Sequence, residues 1–148
     1  MNEDPMMAAL AEARAAGLRG EVPVGAVVVG PGGEILARAG NRCEADHDPT
    51  AHAEMLAIRE AMENQGGPRL TDCDLYVTLE PCAMCAAALS LARLRRLTFG
   101  AYDPKSGGVE HGAQVYEHAT SHHKPEVVGG MDETEAAALL RDFFKDKR

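Results

Sequence analysis

Basic residues are scarce in this 148-residue chain. Fifteen Lys and Arg stand against 23 Asp and Glu, a formal net charge of -8. A general nucleic-acid coat protein would be basic, so that class is disfavoured, although a local basic groove is not excluded. Long apolar runs are missing as well. The longest, Ala83 to Ala92, includes Ser90 and is far too short to span a bilayer. Met1 to Arg19 has no basic start followed by an unbroken apolar run, because Glu3, Asp4, Glu12, Arg14 and Arg19 interrupt it. That excludes the signal-peptide pattern. Internal repeats and low-complexity linkers are also lacking. Cysteine is sparse, at Cys43, Cys73, Cys82 and Cys85. Without a secretory pattern these read as reduced thiols or metal ligands rather than two disulfides. The expectation is a cytoplasmic protein with no membrane partner. What is present, 45% hydrophobic and 26% charged residues, is globular. The length suits one domain, residues 1–148, burying about two-thirds of its unfolded surface.

Periodicity predicts a helix over Met6 to Leu18 and a strand buried on both faces over Val22 to Val29. Pro31-Gly32-Gly33 signals a turn into a second strand, Glu34 to Ala39, making a hairpin. A helix is expected over Thr50 to Glu63 and a strand over Asp74 to Leu79. Pro81 is expected to open a helix reaching about Leu94, since proline suits a first helical position. Strands follow at Arg96 to Gly100 and Glu126 to Gly129. Between them, Tyr102 to Pro125 reads as loop with a short helix near Gln114. Asp132 is expected to cap a last amphipathic helix ending at Lys147. Strands alternating with helices imply a three-layer α/β/α sandwich around a mixed sheet of about five strands.

The chemistry concentrates in His52-Ala53-Glu54 and Pro81-Cys82-Ala83-Met84-Cys85. One imidazole and two thiols are good zinc ligands. Cys82 and Cys85 are three apart, so a helix places them about one turn apart on one face. Free N–H groups at a helix start favour thiolates. His52 is expected in the first turn of the preceding helix, so two helix starts can converge on one cation. A closed structural site uses four protein ligands, whereas a catalytic one leaves the fourth position to water. Glu54, two residues from His52, is placed to take a proton from that water and pass it to a leaving group. The competing reading is a closed site completed by Cys43, Cys73 or a histidine of the 111–123 segment.

Around these residues, His47-Asp48-Pro49-Thr50-Ala51-His52-Ala53-Glu54 and Thr78-Leu79-Glu80-Pro81-Cys82-Ala83-Met84-Cys85 extend the pattern. Glu21-Val22-Pro23-Val24-Gly25-Ala26, Asn41, Phe99-Gly100-Ala101 and Asp142-Phe143-Phe144 extend it further. Together they resemble the bacterial tRNA-specific adenosine deaminases of the cytidine-deaminase-like superfamily, over most of the chain. The resemblance implies one Zn2+ per subunit on His52, Cys82 and Cys85, with Glu54 as proton shuttle. It implies that Asn41 binds the target nucleoside and that Asp103 lies near the ribose; on residue propensity alone, each is equally a turn former. It also implies a homodimer acting on a tRNA anticodon stem-loop, hydrolysing adenosine to inosine at the wobble position (34). A free base or nucleoside deaminase is the alternative, and a non-catalytic zinc module a third reading.

Weaker features receive plainer readings. Arg93, Arg95 and Arg96 are expected to form a solvated cap at a helix C-terminus. His111, His118, His122 and His123 are expected on the surface or facing RNA, with no second metal. Cys43 and Cys73 are taken as inert. One of Phe143 and Phe144 is free to stack on a base. Lys145, Lys147 and Arg148 form a basic end. Tyr102 stands where relatives often carry a basic residue. Residues 1–74 carry net -7 and residues 75–148 only -1, which leaves the second half room for an RNA-binding face.

Overall fold

β1 (Gly25–Val29) is buried along its whole length. Ala26 and Val28 join the core on one side of the sheet, while Val27 and Val29 join the core on the other. This two-sided burial is what its unbroken apolar run demands. The computed structural model describes residues 2–147. Arg148, named above in the basic end, lies outside the described residues, as does Met1.

β2 (Ile35–Gly40) returns antiparallel to β1. β3 (Asp74–Leu79) is antiparallel to β1 on its other edge. β4 (Arg96–Ala101) and β5 (Glu126–Gly129) then add in parallel. The sheet therefore has five strands in the order β2-β1-β3-β4-β5, of mixed direction as expected. α1 (Pro5–Leu18) and α4 (Glu133–Asp146) pack on one face. α2 (Ala53–Gln65) and α3 (Ala83–Leu91) pack on the other.

Small residues bring α1 close to the sheet. Ala8, Ala9, Ala13 and Ala16 are buried in it. A Cβ on Gly25 would meet the Ala9 carbonyl oxygen at 2.0 Å, so only glycine permits this approach. Asp4 caps the helix through Oδ1, which accepts from the N–H groups of Met6 and Met7. No helix among the described residues is long and apolar enough to cross a membrane.

Three expectations need correction. α3 is shorter than predicted at both ends. Cys82, not Pro81, takes the boundary, with Cys82 as N-cap, and Arg93 leaves the helical region at φ +61°. α2 begins at Ala53, so His52 is its N-cap rather than a first-turn residue. Asp132 does precede α4, but in a left-handed conformation and without a side-chain capping bond.

The segment between β4 and β5 contains one 3-10 turn, Val115–Glu117, close to the predicted short helix. The rest is irregular in conformation yet tied down. Tyr116 donates its hydroxyl to the Ala86 carbonyl of α3 at 2.8 Å. Ser90 donates to the His123 carbonyl, and the His123 ring meets the Leu94 carbonyl. Lys124 bonds the carbonyls of Tyr116 and His118.

Candidate active site

Two helix N-termini on the same face of the sheet present the candidate ligands. His52 caps α2 and Cys82 caps α3, both with extended backbone and neither with a side-chain capping bond. N-cap side chains usually accept from the first free N–H groups. Here those side chains face each other instead. Cys82 Sγ lies 3.6 Å and Cys85 Sγ 3.5 Å from His52 Nδ1. The three ligand atoms all fall within 4.8 Å of one another. One imidazole nitrogen and two sulfurs converging at two helix starts suit a borderline cation such as zinc. Cys43, Cys73 and the histidines of the 111–123 segment do not join them. Among the described residues, no fourth His, Cys, Asp or Glu completes the set. The arrangement is open, not closed.

Protonation follows this packing. The Cys82 thiol is held down to about 4, first by the hydrogen bond from Cys85 and then by His52. The same bond, with burial, pushes the Cys85 thiol up. His52 is raised, chiefly by its bond to Cys82.

Glu54 sits in the first turn of α2 and is only 4% exposed. Burial pushes its carboxyl up to about 7, against the opposing pull of the His52 charge. Its Oε1 has no hydrogen-bond partner. A buried carboxyl with one oxygen unpartnered, poised near neutrality, is the property wanted of a proton carrier.

Asn41 replaces the missing cap of α2. Its Oδ1 accepts from the Ala53 N–H at 2.8 Å, and its own carbonyl accepts from Arg19. Its amide nitrogen has no partner among the described residues. Asp103 lies farther along the β4 end, where its Oδ1 accepts from Lys105 and Ser106 N–H and so forms a turn. Structure thus assigns Asn41 to the helix start at the cluster and Asp103 to the opening of the irregular segment.

Two buried carboxylates carry functions that motif reading did not single out. Glu21 accepts from Glu44 and Ala45 N–H, fixing the segment that leads to His52. Glu80 accepts N–H groups from Asp103, Val109, Glu110 and His111 and also meets His111 Nδ1 at 2.8 Å. The signal available was a charged residue ending an apolar strand directly before Pro81.

The remaining expectations divide. His111 is drawn inward by Glu80, and His123 is a strut to α3, so neither is a free surface ring. His122 is exposed. Arg95 and Arg96 are not a solvated cap. Arg95 forms a two-pronged pair with Asp74 at 2.9 and 2.6 Å, and Arg96 meets Glu126 at 3.3 Å. Phe144 is 47% exposed and Phe143 half-buried, stacked edge to face at 5.3 Å.

Comparison with known proteins places this geometry in context. Residues 1–101 match the family described as the cytidine and deoxycytidylate deaminase zinc-binding region. The chain is 55% identical over 143 residues to a tRNA-specific adenosine deaminase of Agrobacterium fabrum, covering 97% of this chain and 93% of that protein. It is 47% identical to part of a tRNA(Ile)-lysidine synthase of Deinococcus deserti, covering 95% of this chain and 26% of that protein. A solved structure from work on A-to-I editing by tRNA:A34 deaminases at the wobble position superposes with a TM-score of 0.90. It is 54% identical, and the match covers 92% of this chain and 98% of that one. A half-open site of one histidine, two cysteines and a buried glutamate, on a chain this similar throughout, leaves one assignment: the chain belongs to the cytidine and deoxycytidylate deaminase zinc-binding family and, within it, to the tRNA-specific adenosine deaminases.

Proposed function

We propose that this single domain, residues 1–148, hydrolyses the wobble adenosine (position 34) of a transfer RNA to inosine, using one zinc ion per subunit. The observation that carries the reading is the open three-ligand cluster beside a buried carboxylate with a free oxygen. His52, Cys82 and Cys85 would hold the ion. When bound, zinc supplies Lewis acidity that brings the pKa of a water from 15.7 to about 7.

The chain's own residues do the rest. Glu54 Oε1, free of internal bonds, takes one proton of the attacking water and gives it to the purine ring nitrogen as the oxygen adds to C6; it then takes the remaining proton of that oxygen and gives it to the departing amino group. Its raised pKa lets it hold the proton between those transfers at neutral pH. Asn41, fixed by Ala53, offers its free amide to the base. Ammonia leaves, and the oxygen that entered remains on C6 of inosine.

A groove of about 960 Å³ supports a large, anionic substrate. Lys105, Arg141, Lys145 and Lys147 line it with Tyr102, Asp103 and Phe144. Cations can track phosphates and exposed rings can stack on unpaired bases, as an anticodon loop requires. The open face of α3, Ala83, Ala87 and Leu91, carries no charge, and Leu91 is 78% exposed. That face supports a homodimer. We place the protein in the cytoplasm, where tRNA is processed.

The test is inosine formation by the purified protein. One tube holds an anticodon stem-loop with A34; others hold adenosine, guanine and cytidine. Inosine from the stem-loop alone is the expected result. Product from a free base or nucleoside alone overturns the RNA assignment.

A further inference from the structure

Glu80 is 2% exposed and its side chain has no access to water at all. Burying a carboxylate is costly unless it is paired or hydrogen-bonded. Here five donors surround it. Oε1 takes the Asp103 N–H at 3.0 Å and His111 Nδ1 at 2.8 Å. Oε2 takes the N–H groups of Val109, Glu110 and His111 at 3.2, 2.9 and 3.0 Å. All five come from one segment of nine residues.

That segment is pressed against the Cys82 turn. Gly108 N–H donates to the Pro81 carbonyl at 2.8 Å. A Cβ on Gly108 would stand 2.5 Å from the Ala83 nitrogen, and one on Gly107 would stand 2.5 Å from Glu80 Oε2. Neither position has room for a side chain. On its outer side the same segment carries Asp103, Lys105 and Ser106 to the groove, with Tyr102 just before it. Tyr102 is held edge to face between Phe99 at 5.0 Å and His111 at 6.2 Å.

We infer that Glu80 is a positioning residue for RNA binding: its carboxylate, with the His111 ring, fixes the Asp103–His111 wall of the groove against the Cys82 turn before substrate arrives. A wall already ordered loses less freedom on binding, so the contribution falls on affinity. The inference rests on the reading of the chain as a tRNA deaminase.

Glu80→Gln keeps the size but replaces one acceptor oxygen by an amino group. With its amino group at the Oε2 position the amide leaves the Val109, Glu110 and His111 N–H groups without their acceptor; at the Oε1 position it leaves the Asp103 N–H without one and forces the His111 ring to change tautomer. His111→Ala removes one donor and spares the carboxylate. Both variants, zinc-loaded, are compared with the unaltered protein in steady-state deamination of an A34 stem-loop, with metal analysis alongside.

For Glu80→Gln, KM is expected to rise about tenfold or more, with kcat per zinc-loaded chain within about threefold and zinc content unchanged. For His111→Ala, KM is expected to rise about threefold. A merely structural role would lower the folded fraction and the apparent kcat without moving KM. KM within about twofold of the unaltered value in both variants overturns the inference alone, as does loss of zinc from Glu80→Gln. If Glu80→Gln does not fold, His111→Ala decides by the same KM criterion. Unaltered protein that makes no inosine overturns the functional reading and this inference together.

Discussion

Glu54 and Glu80 are both buried glutamates at the edge of the ligand cluster, yet their surroundings are opposite. Glu54 heads α2 with one oxygen unpartnered, and burial pushes it up to about 7. Burial alone would push Glu80 up as well. The N–H groups of Asp103, Glu110 and His111, with the His111 ring, outweigh that effect and hold it below the ordinary range. Burial therefore does not decide the charge of a carboxylate; the donors around it do. The first keeps an oxygen open, and every bonding position of the second is taken up by its neighbours.

The sharpest way to break this contrast is to remove the first carboxylate. Glu54→Ala should lower turnover roughly 10^2- to 10^4-fold while metal analysis still finds the ion, because Glu54 is not a ligand. Loss of zinc in that variant would reverse its role.

Stability should respond with opposite signs at the two sites. Glu80→Gln should destabilise the fold by about 3 kcal/mol near neutral pH, read from denaturant midpoints, because buried donors lose their acceptor. Glu80 has a depressed folded pKa against an unfolded value of 4.5. Its contribution is thus fully present above pH 4.5 and is lost as pH falls through the lower folded value. The gap between variant and unaltered protein should narrow there. For Glu54 the folded value lies above 4.5, so ionisation weakens the fold as pH rises from 4.5 through about 7. In chelator-treated protein at pH 8, Glu54→Gln should therefore raise stability by up to about 3 kcal/mol, and the gain should vanish below pH 4.5.

Smaller effects test the supports. Asn41→Ala removes the remote cap of α2 and should cost about 1–2 kcal/mol in thermal or denaturant unfolding, with weaker substrate binding. Tyr116→Phe deletes one bond to α3 and should cost about 1 kcal/mol, with no change in KM.

What could be read from sequence follows the range of the forces involved. The apolar runs of β1 and β3 and the His-x-Glu and Cys-x-x-Cys spacings are local patterns. They place the layers, the five strands and the ligand cluster. The starts of α2 and α3 lie three and two residues beyond the expected ones because His52 and Cys82 are unusual caps whose side chains serve each other. The 102–125 segment reads as loop because its order is not local. Tyr116 reaches Ala86, Ser90 reaches His123, and Glu80 gathers Asp103 through His111. No periodicity encodes a bond between residues thirty positions apart. The pairing of Arg95 and Arg96 is not legible in the sequence for the same reason, since Asp74 and Glu126 come from other strands.

The glycine pair at 107 and 108 has a consequence for how such a protein changes over generations. With no room for a side chain, those two positions fix the path of the backbone. Pro104, Lys105 and Ser106 beside them are exposed. The groove's outer surface can therefore accept new side chains while the 107–108 backbone and the Cys82 turn it is bonded to stay where they are. Innovation at this site is confined to side chains on an unchanging track.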